Sequence, residues 1–131
     1  MIVLDTHTWI WWISDPEQLS KRGREEIDRA MERKEIFISA ISCWETALLV
    51  RKGRLELTMP VEDWIARSEA LPFVQFVPLD NQIALRSNQL PGDLHEDPAD
   101  RIIIATALTL RAPLASKDTK ISDYPHVETI W

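Results

Sequence analysis

The run Ile2-Val3-Leu4, ending in Asp5, constrains the fold more than any other stretch. A short apolar run without alternation is the pattern of a strand buried on both faces, as strands of parallel sheets are. Further strands are expected at Glu35–Ser39, Phe73–Val77 and the very short Leu114-Ala115, with an edge strand over Val127–Ile130. Helical patterns lie between them. A first helix runs from Thr6 to Ile13 and closes at Asp15-Pro16, and a second opens after its cap, Ser20. A third begins at Ser42-Cys43-Trp44-Glu45 and stops at Gly53. Pro60 opens a fourth towards Ala70, and Asp80 caps a fifth through Leu90. Strands alternating with helices predict one α/β domain over residues 1–131, built on a mainly parallel sheet flanked by helices.

The last long helix has the sharpest start. Pro98 keeps Asp97 extended and itself suits the first helical position, so Asp97 is the N-cap of a helix running to Arg111. Asp100 then falls in the first turn, near the positive end of the helix dipole. A reciprocal capping box would use Glu or Gln at that position, and Asp is one carbon short of the reach. Asp100 therefore asks for another role.

Composition narrows the classes. A chain of 131 residues is long enough to bury roughly two thirds of its unfolded surface. It carries 15 Lys and Arg against 21 Asp and Glu, a net charge of −6, which argues against holding nucleic acid by bulk electrostatics but not against binding it locally around metal ions. A single cysteine, Cys43, excludes an internal disulfide and a multi-cysteine zinc site. No basic n-region or long apolar run marks a signal peptide or a membrane span. A cytoplasmic protein without membrane contact is expected.

In parallel α/β sheets, ligands bind beyond the carboxyl ends of the strands. Asp5 ends the first strand, Glu45 follows the second and Asp118 follows the fourth, so all three emerge at one sheet edge. Asp100 precedes a strand. It joins them if the Pro91–Glu96 loop brings its helix start back across the top. Carboxylates forced together repel unless cations sit among them, and an oxygen-only donor set suits Mg²⁺ or Mn²⁺. Such ions serve phosphodiester hydrolysis. Each acid also has a structural reading. Ser42 and Glu45 have the spacing of a capping box, Asp97 is a cap, and Asp118 sits in a turn beside Lys117. Asp5 has the weakest such reading, since an acid directly after a buried strand needs a partner.

Four pieces now stand in order: Leu4-Asp5-Thr6-His7, Ser39-Ala40-Ile41-Ser42-Cys43-Trp44-Glu45, Asp97-Pro98-Ala99-Asp100-Arg101 and Ser116-Lys117-Asp118. Together they resemble the PIN-domain ribonucleases, and within them the VapC-type toxins of bacterial toxin–antitoxin pairs. The resemblance spans nearly the whole chain. It implies a PIN-like α/β/α sandwich, Mg²⁺- or Mn²⁺-dependent endoribonuclease activity leaving 5′-phosphate and 3′-hydroxyl ends, a homodimer, and neutralisation by a cognate antitoxin. The family's catalytic and metal-holding quartet falls on Asp5, Glu45, Asp100 and Asp118, and its hydroxyl position on Thr6 or, better placed one turn along, Thr8. A PIN fold that binds RNA or protein without cutting is the rival reading, and four intact acids argue against it.

Supporting roles fall to Ser39, Ser116 and Asp97 beside the carboxylates, and Arg51, Lys52 and Arg54 are candidate phosphate contacts. His95 admits a role in orienting phosphate or water, although a solvated loop histidine is the simpler reading. Of the six tryptophans, Trp9 and Trp12 share a helix face and Trp11 points elsewhere. Core packing is the default for them. One or two are candidates to line a groove for a partner chain.

Overall fold

The computed structural model describes residues 1–131 and is an α/β/α sandwich around a five-stranded, wholly parallel sheet. The strands are β1 (Ile2–Leu4), β2 (Ile36–Ser39), β3 (Val74–Val77), β4 (Leu114–Ala115) and β5 (Thr129–Ile130), in the spatial order β3-β2-β1-β4-β5. The unbroken apolar run of β1 has its physical reason in that order. β1 is central, with Leu4 registered against Ile38 on one side and Ala115 on the other. Both faces of the sheet are covered, which is what a parallel sheet requires.

Seven helices form the outer layers: α1 (Thr6–Ser14), α2 (Lys21–Glu32), α3 (Ala40–Arg51), α4 (Val61–Glu69), α5 (Asn81–Ser87), α6 (Pro98–Leu110) and α7 (Thr119–Ser122). Alternate residues of the strands feed two cores. Ile2, Leu4, Ile36 and Ile38 pack with Trp9 and Ile10 of α1, Ile27 and Ala30 of α2, and Trp64 of α4. Val3 and Leu114 pack on the opposite face with Ile103, Ile104 and Ala107 of α6 and Ile121 of α7. No helix is long and apolar enough to cross a membrane.

Local chemistry sets most boundaries where they were expected. Ser20 caps α2, Asp80 caps α5 and Asp97 caps α6, each accepting from a backbone N–H three residues on. Arg111 closes α6 in the left-handed conformation, φ 56°. Two expectations are corrected. The third helix starts at Ala40, not at Ser42: β2 passes into α3 without a loop, and Ser39 caps it by accepting from Ile41 N at 3.2 Å. The fifth helix ends at Ser87 rather than Leu90. The Asn88 side chain folds back to donate to Ala84 O, and Arg101 Nε donates to Ser87 O at 3.0 Å, so two side chains take up the terminal carbonyls. A 3₁₀ turn at Pro16–Gln18 and the four-residue α7 are too short to carry a periodic signal.

The aromatic side chains separate sharply. Trp9 is wholly buried, donates through Nε1 to Ser68 Oγ at 3.1 Å, and has its ring centroid 4.7 Å from that of Trp64 and 5.4 Å from that of Phe76. It ties α1 to α4 and cannot line a groove for a partner. Trp44, by contrast, is 57 % exposed. In urea unfolding, Trp9→Ala is expected to lower stability by about 3–5 kcal/mol, and Trp44→Ala by less than about 0.5 kcal/mol. Equal losses would contradict this division of roles.

Candidate active site

The strand order reverses at β1, with β2 and β3 laid down to one side and β4 and β5 to the other. Connections leaving β1 and β4 therefore diverge, and a crevice opens beyond their carboxyl ends. A cleft of about 610 Å³ lies there, and Asp5, Glu45, Asp100 and Asp118 all line it. Asp100 reaches it by simple topology. A helix that feeds a parallel strand has to start at the carboxyl edge, so the first turn of α6 lies beside the ends of β1 and β4. The loop before it is pinned in place: Arg101 donates to the Leu94 carbonyl at 3.2 Å, and Tyr124 donates its hydroxyl to the Pro91 carbonyl.

Each acid is held by its own local structure. Asp5 caps α1, its Oδ1 accepting from Thr8 N at 2.9 Å. It is buried, which pushes its carboxyl above the usual carboxylate range, while hydrogen bonds from Ser116 and Thr8 pull partly back. Glu45 sits in the second turn of α3, half-buried. Because Ser39 caps that helix, the capping-box reading of Glu45 falls away. Ser42 is instead buried and accepts from Thr6 Oγ1 at 2.9 Å, fixing α1 against α3 beneath the cleft. Asp118 caps α7, accepting from Lys120 N at 2.9 Å, and its own N–H donates to Ser116 Oγ at 3.1 Å.

Asp100 is the most constrained of the four. His95 Nε2 lies 2.7 Å from Asp100 Oδ2, the imidazole donating to the carboxylate. This overturns the simpler reading of His95 as a solvated loop side chain: the pinned loop turns it into the cleft, where three quarters of its side chain is covered. Burial pushes the Asp100 carboxyl up. The bond from His95 pulls it down, and the charges of Asp97 and Asp118 push it up further.

The remaining candidates divide. Asp97 lines the cleft while capping α6 through Oδ1. Ser39 is buried beneath it as a cap of backbone, and the buried Ser116 both accepts from Asp118 N and hydrogen-bonds the Asp5 carboxyl. Of the two threonines, Thr6 lines the cleft, whereas Thr8 turns its hydroxyl to Ala115 O at 3.1 Å and meets Asp5 through its backbone N–H. Arg51, Lys52 and Arg54 do not line the cleft. α3 starts at the carboxyl edge and runs away from it for about 18 Å at 1.5 Å per residue, leaving them exposed at its far end. Lys117, Lys120, His7 and Trp11 line it instead. The two lysines bracket Asp118, so placing that acid at the edge would have located them as well.

An all-oxygen set of carboxylates, two of them pushed up chiefly by burial, matches the donors a hard divalent cation takes. As the side chains stand, no three of them are placed to hold one ion together.

Comparison with known proteins agrees with this architecture. Residues 2–127 match the PIN domain family, and the chain belongs to it. It is 32 % identical over 132 residues to Ribonuclease VapC22 of Mycobacterium tuberculosis, covering 99 % of this chain and 98 % of that protein. The fold also matches FitAcB from Neisseria gonorrhoeae, with a TM-score of 0.68 at 23 % identity over 98 % of this chain and 96 % of that one. A toxin–antitoxin complex from Klebsiella pneumoniae matches with a TM-score of 0.61 at 23 % identity over 95 % and 93 % of the two chains.

The raised carboxyls have a consequence for stability. A carboxyl with a higher pKa in the folded state binds more protons folded than unfolded, so its contribution to stability is greatest at low pH and is lost as pH rises through the folded pKa. Asp5→Asn and Asp100→Asn are thus expected to stabilise the metal-free protein at pH 7, with Asn still able to cap α1. The gain should vanish below about pH 4, where the unfolded carboxyl is itself protonated. Thermal melts across that range check it. A gain that persisted in acid would contradict the charge-based account.

Proposed function

We propose that this protein is a divalent-metal endoribonuclease of the toxin kind, hydrolysing RNA phosphodiester bonds. The convergence of Asp5, Glu45, Asp100 and Asp118 in one cleft carries the proposal, and the relative named as a ribonuclease supports it. These four residues would hold Mg²⁺ or Mn²⁺. When bound, such an ion supplies polarisation of a phosphoryl oxygen and a lowered pKa for the attacking water.

The chain's own groups set the conditions for that chemistry. The cap bond from Thr8 N fixes the Asp5 carboxylate, and the bond from His95 fixes that of Asp100, so neither has to be ordered when substrate arrives. Arg101 and Tyr124 hold the loop that carries His95. The structural reading of Glu45 is gone, which leaves the cleft as its place of work. Replacing Asp5 or Asp100 by Asn, or Glu45 by Gln, is expected to lower cleavage of total RNA by on the order of 10²–10³ while the protein stays folded, and chelator should do the same to the parent. Full activity in both Asp variants would overturn the assignment. Folded protein that binds RNA but leaves it intact with Mg²⁺ or Mn²⁺ present would favour the non-cleaving module.

A ribonuclease of this kind endangers its own cell, and we read a cognate antitoxin as its partner. A structure of similar fold is described as a toxin–antitoxin complex. The first-helix tryptophans open to such a partner are Trp11 and Trp12, both half-buried, and not Trp9. A homodimer belongs to the same reading: Trp44 on α3 and Leu85 on α5, the latter 62 % exposed, leave large apolar side chains uncovered. Light scattering of the free protein at micromolar concentration is expected to give the dimer mass, and a monomer would count against it.

A further inference from the structure

The nuclease reading uses the carboxylates of the cleft and leaves its other lining without a task. Lys117, Lys120, His7 and Trp11 form that lining, and Trp11 is the one hydrophobic side chain in the cleft. Trp11 is braced by two neighbours, its ring centroid 5.9 Å from that of Trp131 and 5.7 Å from that of His7. The Lys117 ammonium lies over its ring, 5.8 Å from the centroid. The chain's ion pairs join Met1 to Glu35, Arg29 to Glu26 and His95 to Asp100, so neither Lys117 nor Lys120 has a carboxylate partner. Both are exposed.

Two unpaired ammonium groups beside a braced aromatic face suit a ligand with alternating anions and flat rings. Resting on that reading of the cleft, we propose that Lys117, Lys120 and Trp11 dock the unpaired strand of RNA flanking the scissile bond. The lysines take phosphates, and an unpaired base takes the face of Trp11 in place of Lys117. A duplex hides its base faces and offers the ring nothing to stack on. The five acids of the cleft attract a protein segment bearing Arg or Lys, but at Trp11 the Lys117 ammonium repels one, so beside this ring the polyanion is the favoured occupant.

Binding is separable from cleavage. In Asp100→Asn protein with chelator present, fluorescence anisotropy reports the affinity for a labelled oligoadenylate, alone or annealed to oligouridylate. Lys117→Met and Lys120→Met are each expected to weaken binding and to reduce the salt slope of log K by about 0.7, one single-strand phosphate contact. Trp11→Leu is expected to weaken single-strand binding about tenfold with the slope unchanged, and Trp11→Phe to retain most of it. Annealing should erase the difference between Trp11 and Leu. If Trp11→Leu fails to fold, the two lysine variants still decide.

Unchanged affinity and slope in both lysine variants would overturn the proposal, and chelator-sensitive cleavage by the parent would then leave the nuclease reading standing. Lost binding in the variants of a protein that never cleaves would uphold the docking wall and remove the nuclease. Unchanged oligoadenylate binding with weakened binding of an arginine-rich peptide would give the wall to a protein partner, and overturn the proposal too.

Discussion

Parallel pairing obliges each crossover helix to start at the edge where the strands end, and the rest of this structure depends on that constraint. Five parallel strands bring the N-termini of α1, α3, α6 and α7 to one side of the molecule. A helix start needs a cap for its free N–H groups, and Asp is among the best. Asp5, Asp97 and Asp118 meet that need with one oxygen each. The same bonds that let the helices begin also fix carboxylates around the cleft. Helix dipoles place partial positive charge beside them and offset some of their mutual repulsion. Structural and functional readings of these acids are therefore not rivals. A carboxylate has more lone pairs than one cap consumes.

Glu45 and Asp100 stand outside that economy, and they are informative for that reason. Glu45 has no cap to serve once Ser39 is seen to close α3. Asp100 is oriented by a histidine from a loop and not by its own helix. Its carboxyl is raised by burial and by two neighbouring acids, so the free protein carries a local electrostatic cost at this edge. The divalent ion proposed for this cleft would relieve such a cost.

Much of this was readable in the chain. Apolar runs without alternation gave the parallel sheet, and Asp97-Pro98 gave the start of α6 to the residue. The grouping of Asp5, Glu45 and Asp118 followed from strand direction, and Asp100 joined them on the condition that the Pro91–Glu96 loop returned its helix start to that edge. What could not be read was set by tertiary contact. The start of α3 depended on β2 passing into it without a loop, and the end of α5 depended on Arg101, fourteen residues beyond Ser87. His95 looked like an ordinary loop residue because nothing local shows that the loop is pinned by Arg101 and Tyr124. Arg51, Lys52 and Arg54 looked basic and available, and the length of α3 carries them away from the cleft.

Those displaced residues and the lysines that replace them bear on how little net charge would say about the proposed nucleic-acid site. The chain is acidic overall, with a net charge of −6. A strand held by a broad basic surface would lose most of its affinity as salt rises, because each phosphate contact adds to the slope. Two lysines bracketing one acid at the strand edge act over a much shorter range. At physiological salt the Debye length is about 8 Å, so charge beyond the cleft scarcely reaches a phosphate bound within it. Local placement can therefore prevail over global sign once cations sit among the cleft's five acids, which otherwise outnumber its two lysines. On the proposed reading, the acidic remainder of the surface would repel nucleic acid elsewhere and leave Lys117, Lys120 and Trp11 as the place to hold a strand.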